Sequence, residues 1–218
     1  MKPIVLSLLA LFAVAFFLRN VFGFLKIMFS AKRPSFRTDK IVERIKGLII
    51  YVFGQKRILK NYTWAGIEHF MLFWGFMIIT VGSLELVILG FVPGFEAFGF
   101  LGGEAQEMFL LTLDVVQSLV IIALVMGVLN RTVIPSGKRR EVNSIDAVVI
   151  LGMIFGLMVT DFGFRASKIA LGTEPASWLP ISSMWASFFL SNVNVATAAF
   201  STEFFYWIHV CLLFAFLN

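Results

Sequence analysis

The chain contains two histidines, and each lies in an apolar run long enough to cross a membrane. His69 lies near the start of "WAGIEHFMLFWGFMIIT", and His209 lies in "EFFYWIHVCLLFAFLN". An ionisable side chain inside hydrocarbon is costly unless it is paired or liganded, so each histidine is a candidate functional residue. A neutral imidazole can bind a metal through one nitrogen while the other bonds to a neighbour. Two histidines on different helices can therefore hold a haem iron, and ligation at both axial positions favours electron transfer.

The competing interpretation of each histidine is a hydrogen-bonded interior or interfacial side chain. Depth along the helices bears on the choice. At 1.5 Å per residue, His69 lies roughly 7 to 8 Å from Trp64, and His209 lies about 14 Å from Asn218. These depths allow one tilted haem between the two histidines. If the last span begins nearer Glu203, the histidines belong to different haems instead.

A second group of candidates lies near the end of the fourth apolar run. Asp161 and Arg165 are four residues apart, so they share a helix face and can form an ion pair there. With Lys168 they can also supply protons or hydrogen-bond donors to a quinone head group. A simple ion pair at a helix end is the plainer interpretation.

The composition shows what must position these residues. Of 218 residues, 59% are hydrophobic and only 14% are charged, which is more apolar surface than one soluble core buries. A helix needs about 20 apolar residues to cross a bilayer. We predict an all-α integral membrane bundle in a single domain, with five transmembrane helices at about 3–28, 64–89, 107–129, 144–164 and 195–218. Asn143 or Ser144 can cap the fourth helix, and a removed signal peptide is the alternative for the first.

The basic residues predict the orientation of the bundle. The first connection holds ten Lys and Arg and the third holds four, whereas the second holds none and the fourth only Arg165 and Lys168. The positive-inside rule therefore predicts N-out, C-in topology. We expect the membrane to be a bacterial or archaeal cytoplasmic membrane. Apolar residues recur at helical spacing within the first connection, which predicts a basic amphipathic helix at about 41–60 on the cytoplasmic surface, facing anionic lipid or an acidic partner.

The cysteine content limits the redox chemistry of the chain. Cys211 is the single cysteine, so neither a disulfide framework nor a CxxC cluster site is available. The last apolar run stops at "LLFAFLN" without charged or interfacial anchors. We therefore expect the natural protein to continue beyond Asn218.

Two segments carry a resemblance to a known family. "GQKRILKNYTWAGIEHFMLFWGFMIIT" resembles the second helix of nitrate reductase gamma-like b-type cytochromes, and "FYWIHVCLLFAFLN" resembles their last membrane helix. The nearest likeness is to the membrane domain at the amino end of heterodisulfide-reductase-like, CCG-type iron-sulfur oxidoreductases. The resemblance implies that His69 and His209 are axial ligands of haem b. Members with two haems use four histidines and this chain has two, so one or two haems remain open.

The resemblance also implies a function. It predicts a membrane cytochrome domain that passes electrons between the quinone pool and a cytoplasmic iron-sulfur domain or subunit, with electron-transfer flavoprotein or another soluble protein as donor. Any [4Fe-4S] clusters would belong to a C-terminal part or a partner. The alternatives are a cofactor-free membrane anchor and a small proton-coupled transporter that uses Asp114, Asp161 and the histidines. The sequence shows no nucleophile triad, phosphate-binding loop or nucleic-acid motif.

Overall fold

The structure, a computed structural model, describes residues 2–30, 39–60, 64–132 and 145–218. These residues form helices and loops and contain no β-strand. Five of the helices are long and apolar enough to span a membrane, which confirms the predicted all-α membrane bundle. They are α1 (Lys2–Phe29), α4 (Trp64–Leu89), α5 (Gly103–Thr132), α6 (Ile145–Ala170) and α8 (Val195–Phe216).

The core of the bundle lies between α4, α5, α6 and α8. One apolar cluster joins the first three of these helices through residues such as Ile79, Leu113 and Leu157. Glycines allow the close approach: a Cβ added at Gly82 of α4 would lie 2.8 Å from the Leu113 side chain of α5. Small residues at helix contacts are the usual means of close packing in membranes, where lipid is as apolar as the helix surface.

Helix α1 is peripheral to this core. Only Leu6 and Ala13 of α1 are buried, and Leu6 packs in a second cluster with Tyr206 and Val210 of α8. At its start the Lys2 ammonium lies 2.7 Å from Glu203 and 3.6 Å from the centre of the Tyr206 ring. The contacts of α1 therefore concentrate at one end of α8.

The basic segment predicted as one interfacial helix is broken into three pieces. Helix α2 (Ile41–Leu48) continues into a π-helical turn (Ile49–Phe53), and α3 (Lys56–Leu59) follows. The break falls at Gln55, whose φ of 46° lies in the left-handed region that ends a right-handed helix. Most apolar side chains of the segment are exposed, although the Phe53 ring lies 6.4 Å from Trp74 of α4.

Two helix bounds differ from the prediction. Helix α5 begins at Gly103, four residues before the expected start, and α6 continues to Ala170 instead of ending near Phe164. Arg165 and Lys168 therefore belong to the last turns of α6 and not to a polar connection. Their charges lower the hydropathy of this stretch and therefore predict an earlier end of the span. In the structure, acidic partners from α6 itself and from the next loop neutralise them. The proposed caps Asn143 and Ser144 and the basic loop around them lie outside the described residues.

The predicted polar connection after α6 contains a further helix, α7 (Pro180–Phe189). The Asp114 carboxylate of α5 caps the N-terminus of α7. It accepts hydrogen bonds from the amides of Ile181 and Ser182 and from the Ser182 hydroxyl. On the same side of the bundle, Glu85 of α4 accepts from the Gln106 amide at 2.5 Å and from the Ala97 amide at 3.0 Å. These carboxylates fix the two loops that the charge distribution assigns to the outer side.

Candidate functional site

His209 lies at the meeting point of three helices and is completely buried. Its Nε2 is 3.0 Å from the Ser83 hydroxyl of α4, and its Nδ1 is 3.0 Å from the Thr160 hydroxyl of α6. The Thr160 hydroxyl also donates to the Gly156 carbonyl one turn earlier in α6. Both ring nitrogens therefore have a polar partner from another helix, as a buried imidazole requires.

A buried ion pair directly follows Thr160. Arg165 Nε donates to Asp161 Oδ2 at 2.9 Å, and both side chains are at most 4% exposed. This confirms the predicted pairing four residues apart on one helix face. Gln117 of α5 donates to the same Asp161 oxygen. The carboxylate is thus held by a cation and an amide, which is the arrangement that makes a buried charge tolerable.

Glu174 connects the ion pair to the outer surface of the bundle. It lies in the loop after α6, and its Oε1 accepts from Lys168 Nζ at 2.7 Å and lies 4.0 Å from Arg165 Nη1. The cations Arg165 and Lys168 therefore lie beside the carboxylates of Asp161 and Glu174 at the outer end of α6. The two positive and two negative formal charges cancel. The three predicted residues Asp161, Arg165 and Lys168 are thus brought together, with Glu174 as an unpredicted fourth member.

His69 lies in a different environment near the opposite end of α4. Its side chain is exposed in the described part of the chain. His69, Phe76 and Ser83 recur every seven residues, so they lie along one stripe of α4. Phe76 packs on Phe216 of α8 with ring centroids 5.2 Å apart, and Ser83 contacts His209. The stripe faces α8, whose described helix ends at Phe216, opposite Phe76.

The structure does not bring the two histidines together. His69 and the His209 partner Ser83 are separated by 14 residues of α4, or about 21 Å of helix axis. The estimate that allowed one shared haem assumed that the last span and α4 end at the same cytoplasmic level. In the structure α8 ends opposite Phe76, twelve residues into α4, so His209 lies much farther toward the outer side.

The two histidines fit a haem in different degrees. His69 offers an exposed imidazole on the stripe that faces α8. His209 has the Thr160 bond at Nδ1 that commonly orients an axial histidine. Its Nε2 contacts Ser83, so Nε2 could bind an iron only if that hydrogen bond were broken. Each histidine can give one axial ligand, but the two cannot share an iron in this arrangement.

Several members of the site were missed by the sequence reasoning. Ser83 and Thr160 are ordinary hydroxyl residues of apolar helices, and only their packing around His209 distinguishes them. Ser83 lies 14 residues after His69, which places both residues on one face of α4. This spacing could have identified Ser83 from the sequence. Glu174 and Gln117 are brought in by the fold from a loop and a neighbouring helix. No local pattern marks either of them.

The fold and the site define a polytopic all-α membrane protein with a buried histidine and a buried ion pair. No family model matches the chain, and no solved structure matches it significantly. It is 27% identical over 179 residues to FadF of Bacillus subtilis, a "probable iron-sulfur-binding oxidoreductase". It is 25% identical over 211 residues to the EtfAB:quinone oxidoreductase of Syntrophomonas wolfei.

These matches cover 82% and 90% of the chain but only 24% and 28% of the two relatives. The chain therefore spans about a quarter of the length of the curated relatives it matches. Both relatives are oxidoreductases, and the chain is accordingly related to oxidoreductases.

Proposed function

We propose that the chain is the membrane domain of a quinone-linked electron-transfer oxidoreductase and that it holds haem b as nitrate reductase gamma-like cytochromes do. The observation that carries the proposal is the stripe of α4 that faces α8. This stripe carries the exposed His69 and, 14 residues farther along α4, Ser83, whose hydroxyl contacts His209. The names of the two relatives support the redox and quinone parts of the proposal.

His69 and His209 serve in this proposal as axial ligands at two depths of the membrane. Haem held there would carry single electrons, whereas the protein supplies ligands, orientation and an apolar surrounding. Thr160 holds the His209 ring in one orientation. Any further ligand that haem required would come from a longer natural chain or from a partner. Haem at two depths would link the outer and cytoplasmic sides of the membrane.

The partner in this proposal is a cytoplasmic iron-sulfur domain or subunit. One relative is named for iron-sulfur binding and the other for electron-transfer flavoprotein and quinone. Because about three quarters of each relative lies outside the match, cluster-binding residues belong to that remainder or to a separate subunit. The soluble donor would be electron-transfer flavoprotein or a protein like it.

A specific observation favours a second candidate, the cofactor-free membrane anchor. Both nitrogens of His209 are engaged by hydroxyl groups, which is the pattern of a structural interior histidine. Under this alternative the histidines hold helices together and the basic cytoplasmic side docks a soluble enzyme. Haem content separates the two candidates.

The decisive experiment is a reduced-minus-oxidised absorbance spectrum of detergent-purified protein, with haem quantified per chain. We expect a b-type spectrum. We expect His69→Ala and His209→Ala each to remove the part of the absorbance change that one haem contributes. Arg19→Ala serves as the control, because Arg19 is exposed on the peripheral helix α1. Absence of haem both from this chain and from a longer natural chain that includes it would refute the cytochrome proposal.

A further inference from the structure

A cavity of about 300 Å³ lies at the outer end of the bundle, between α4, α5, α6 and the loops that follow α4 and α6. Its volume is at the lower end of the range for small-molecule sites. Its lining combines apolar and charged side chains. The apolar side chains include Leu86, Leu89, Leu110 and Phe164, and the charged side chains include Arg165, Lys168 and Glu174.

Glu174 is a charged lining residue with a buried acceptor that is unused among the described residues. Its Oε1 is bonded to Lys168, but its Oε2 is buried and has no hydrogen-bond partner among the described residues. A buried carboxylate oxygen without a donor is costly. A ligand hydroxyl in the cavity would supply that donor.

Lys168 offers the complementary group. An ammonium carries three donors, and one of them bonds to Glu174 at 2.7 Å. The remaining donors can reach a ligand carbonyl in the cavity. Glu85, Glu96 and Glu107 also line the cavity and make it unfavourable for an anion. The lining therefore suits a neutral, flat ring that carries oxygen atoms on its edges.

We propose that this cavity binds the head group of a membrane quinone, with its ring against Leu86 and Phe164. Lys168 donates to one quinone oxygen, and Glu174 Oε2 accepts the hydroxyl proton of the reduced form. This assignment rests on the proposed function for the route of the electrons. It adds the location of the substrate and one catalytic residue, Glu174, to that function.

A quinol becomes a quinone when both O–H bonds break and two electrons leave, one after the other, to the haem of the proposed function. The proton of the hydroxyl at Glu174 passes to this carboxylate and from there to water, since the side chain is 11% exposed in the loop after α6, and the proton of the other hydroxyl passes to water directly. In the opposite direction the same carboxyl group delivers one proton to the reduced quinone, and water delivers the other.

Binding of decylubiquinone to the detergent-purified protein, measured by isothermal titration calorimetry, tests the cavity without reference to haem. Lys168→Met should weaken binding about tenfold, which corresponds to about 1.4 kcal/mol. Gly103→Leu places a side chain where an added Cβ meets no atom within 4 Å, so it should reduce the space without a clash. It should also weaken binding.

Glu203→Gln is the matched control, because Glu203 forms a lysine pair of the same 2.7 Å length outside the cavity. It should bind decylubiquinone as the unaltered protein does. Absence of binding to the unaltered protein, or equal binding by the Lys168→Met and Gly103→Leu variants, would overturn the cavity assignment.

The role of Glu174 is tested by the rate at which decylubiquinol reduces the haem. Glu174→Gln should retain decylubiquinone binding and lower that rate about a hundredfold, the usual effect of losing a positioned acid or base. A rate equal to that of the unaltered protein would overturn the role. Lys168-dependent binding by a protein without haem would support the cavity assignment independently of the cytochrome proposal.

Discussion

Ser83 Oγ and His209 Nε2 lie 3.0 Å apart, and this contact sets the register of α4 against α8. Seven residues farther along each helix, in opposite directions, Phe76 and Phe216 pack with ring centroids 5.2 Å apart. The two helices are therefore antiparallel with a constant register. His69 lies another seven residues along α4 and its imidazole is exposed, whereas that of His209 is buried.

In the haem-free protein, Ser83→Ala should destabilise the fold by about 1 kcal/mol, because it removes one of the two hydrogen-bond partners of a buried imidazole. The measurement is thermal unfolding in detergent. Ser187→Ala is the matched control, since the Ser187 hydroxyl is exposed and, among the described residues, bonds to the Met184 carbonyl of its own helix. Equal stability of the two variants would show that the Ser83 contact contributes nothing to the bundle.

Arg165→Leu should destabilise the protein by about 3 kcal/mol, because it leaves the Asp161 carboxylate buried without its cation. The double variant Asp161→Leu with Arg165→Leu should recover part of that loss. Chemical denaturation in detergent gives both values.

Arg44→Ala provides the comparison for this pair. The Arg44–Asp39 pair has a similar distance of 3.1 Å, but its side chains are 46% and 64% exposed, so water screens the charges. We expect a loss of about 0.5 kcal/mol or less from this change. If Arg44→Ala lowered the free energy of unfolding as much as Arg165→Leu does, burial would not explain the larger effect expected for the Asp161–Arg165 pair.

The outcome of the sequence reasoning differed between local and long-range features. The Asp161–Arg165 pair was predicted correctly because both residues lie on one helix, where a spacing of four settles their proximity. The all-α bundle with five spanning helices was predicted because hydropathy and length suffice for it. The end of the fourth span was wrong, because the partner that neutralises Lys168 is Glu174, which comes from the following loop.

The relative depth of the histidines was also beyond the sequence. The count of residues from each helix end was sound, but it required both ends to lie at one level. The packing of Phe76 on Phe216 shows that they do not. Helix register depends on side-chain packing between distant segments, and a single sequence contains no direct record of it.

Gly163→Ala should loosen the contact between α6 and α8. An added Cβ would lie 2.6 Å from the Phe205 ring, so that ring or the helix itself must shift. Overpacking of this kind costs about 1 to 3 kcal/mol. Gly152→Ala on the same helix is the matched control, because its Cβ would meet no atom within 4 Å. It should leave stability unchanged or raise it, since alanine favours the helix by about 1 kcal/mol over glycine. Thermal unfolding of the two variants should therefore differ in sign.

Asp114→Ala should release α7 from the bundle while leaving the long helices in place. The Asp114 carboxylate is fully buried and accepts from the Ile181 amide at 2.6 Å and the Ser182 hydroxyl at 2.5 Å. Without it, the first amides of α7 lose their acceptor, and unsatisfied helix amides favour local opening. Hydrogen exchange followed by mass spectrometry should show faster exchange across 180–189 and little change in α5.

Ser182→Ala removes the hydroxyl donor but keeps both backbone bonds to Asp114, so its effect on exchange should be much smaller. Faster exchange in Ser182→Ala than in Asp114→Ala would show that the hydroxyl, and not the capping of the backbone, holds α7. Because α7 follows the loop that carries Glu174, release of α7 should also weaken decylubiquinone binding in Asp114→Ala. Ser182→Ala should bind decylubiquinone as the unaltered protein does.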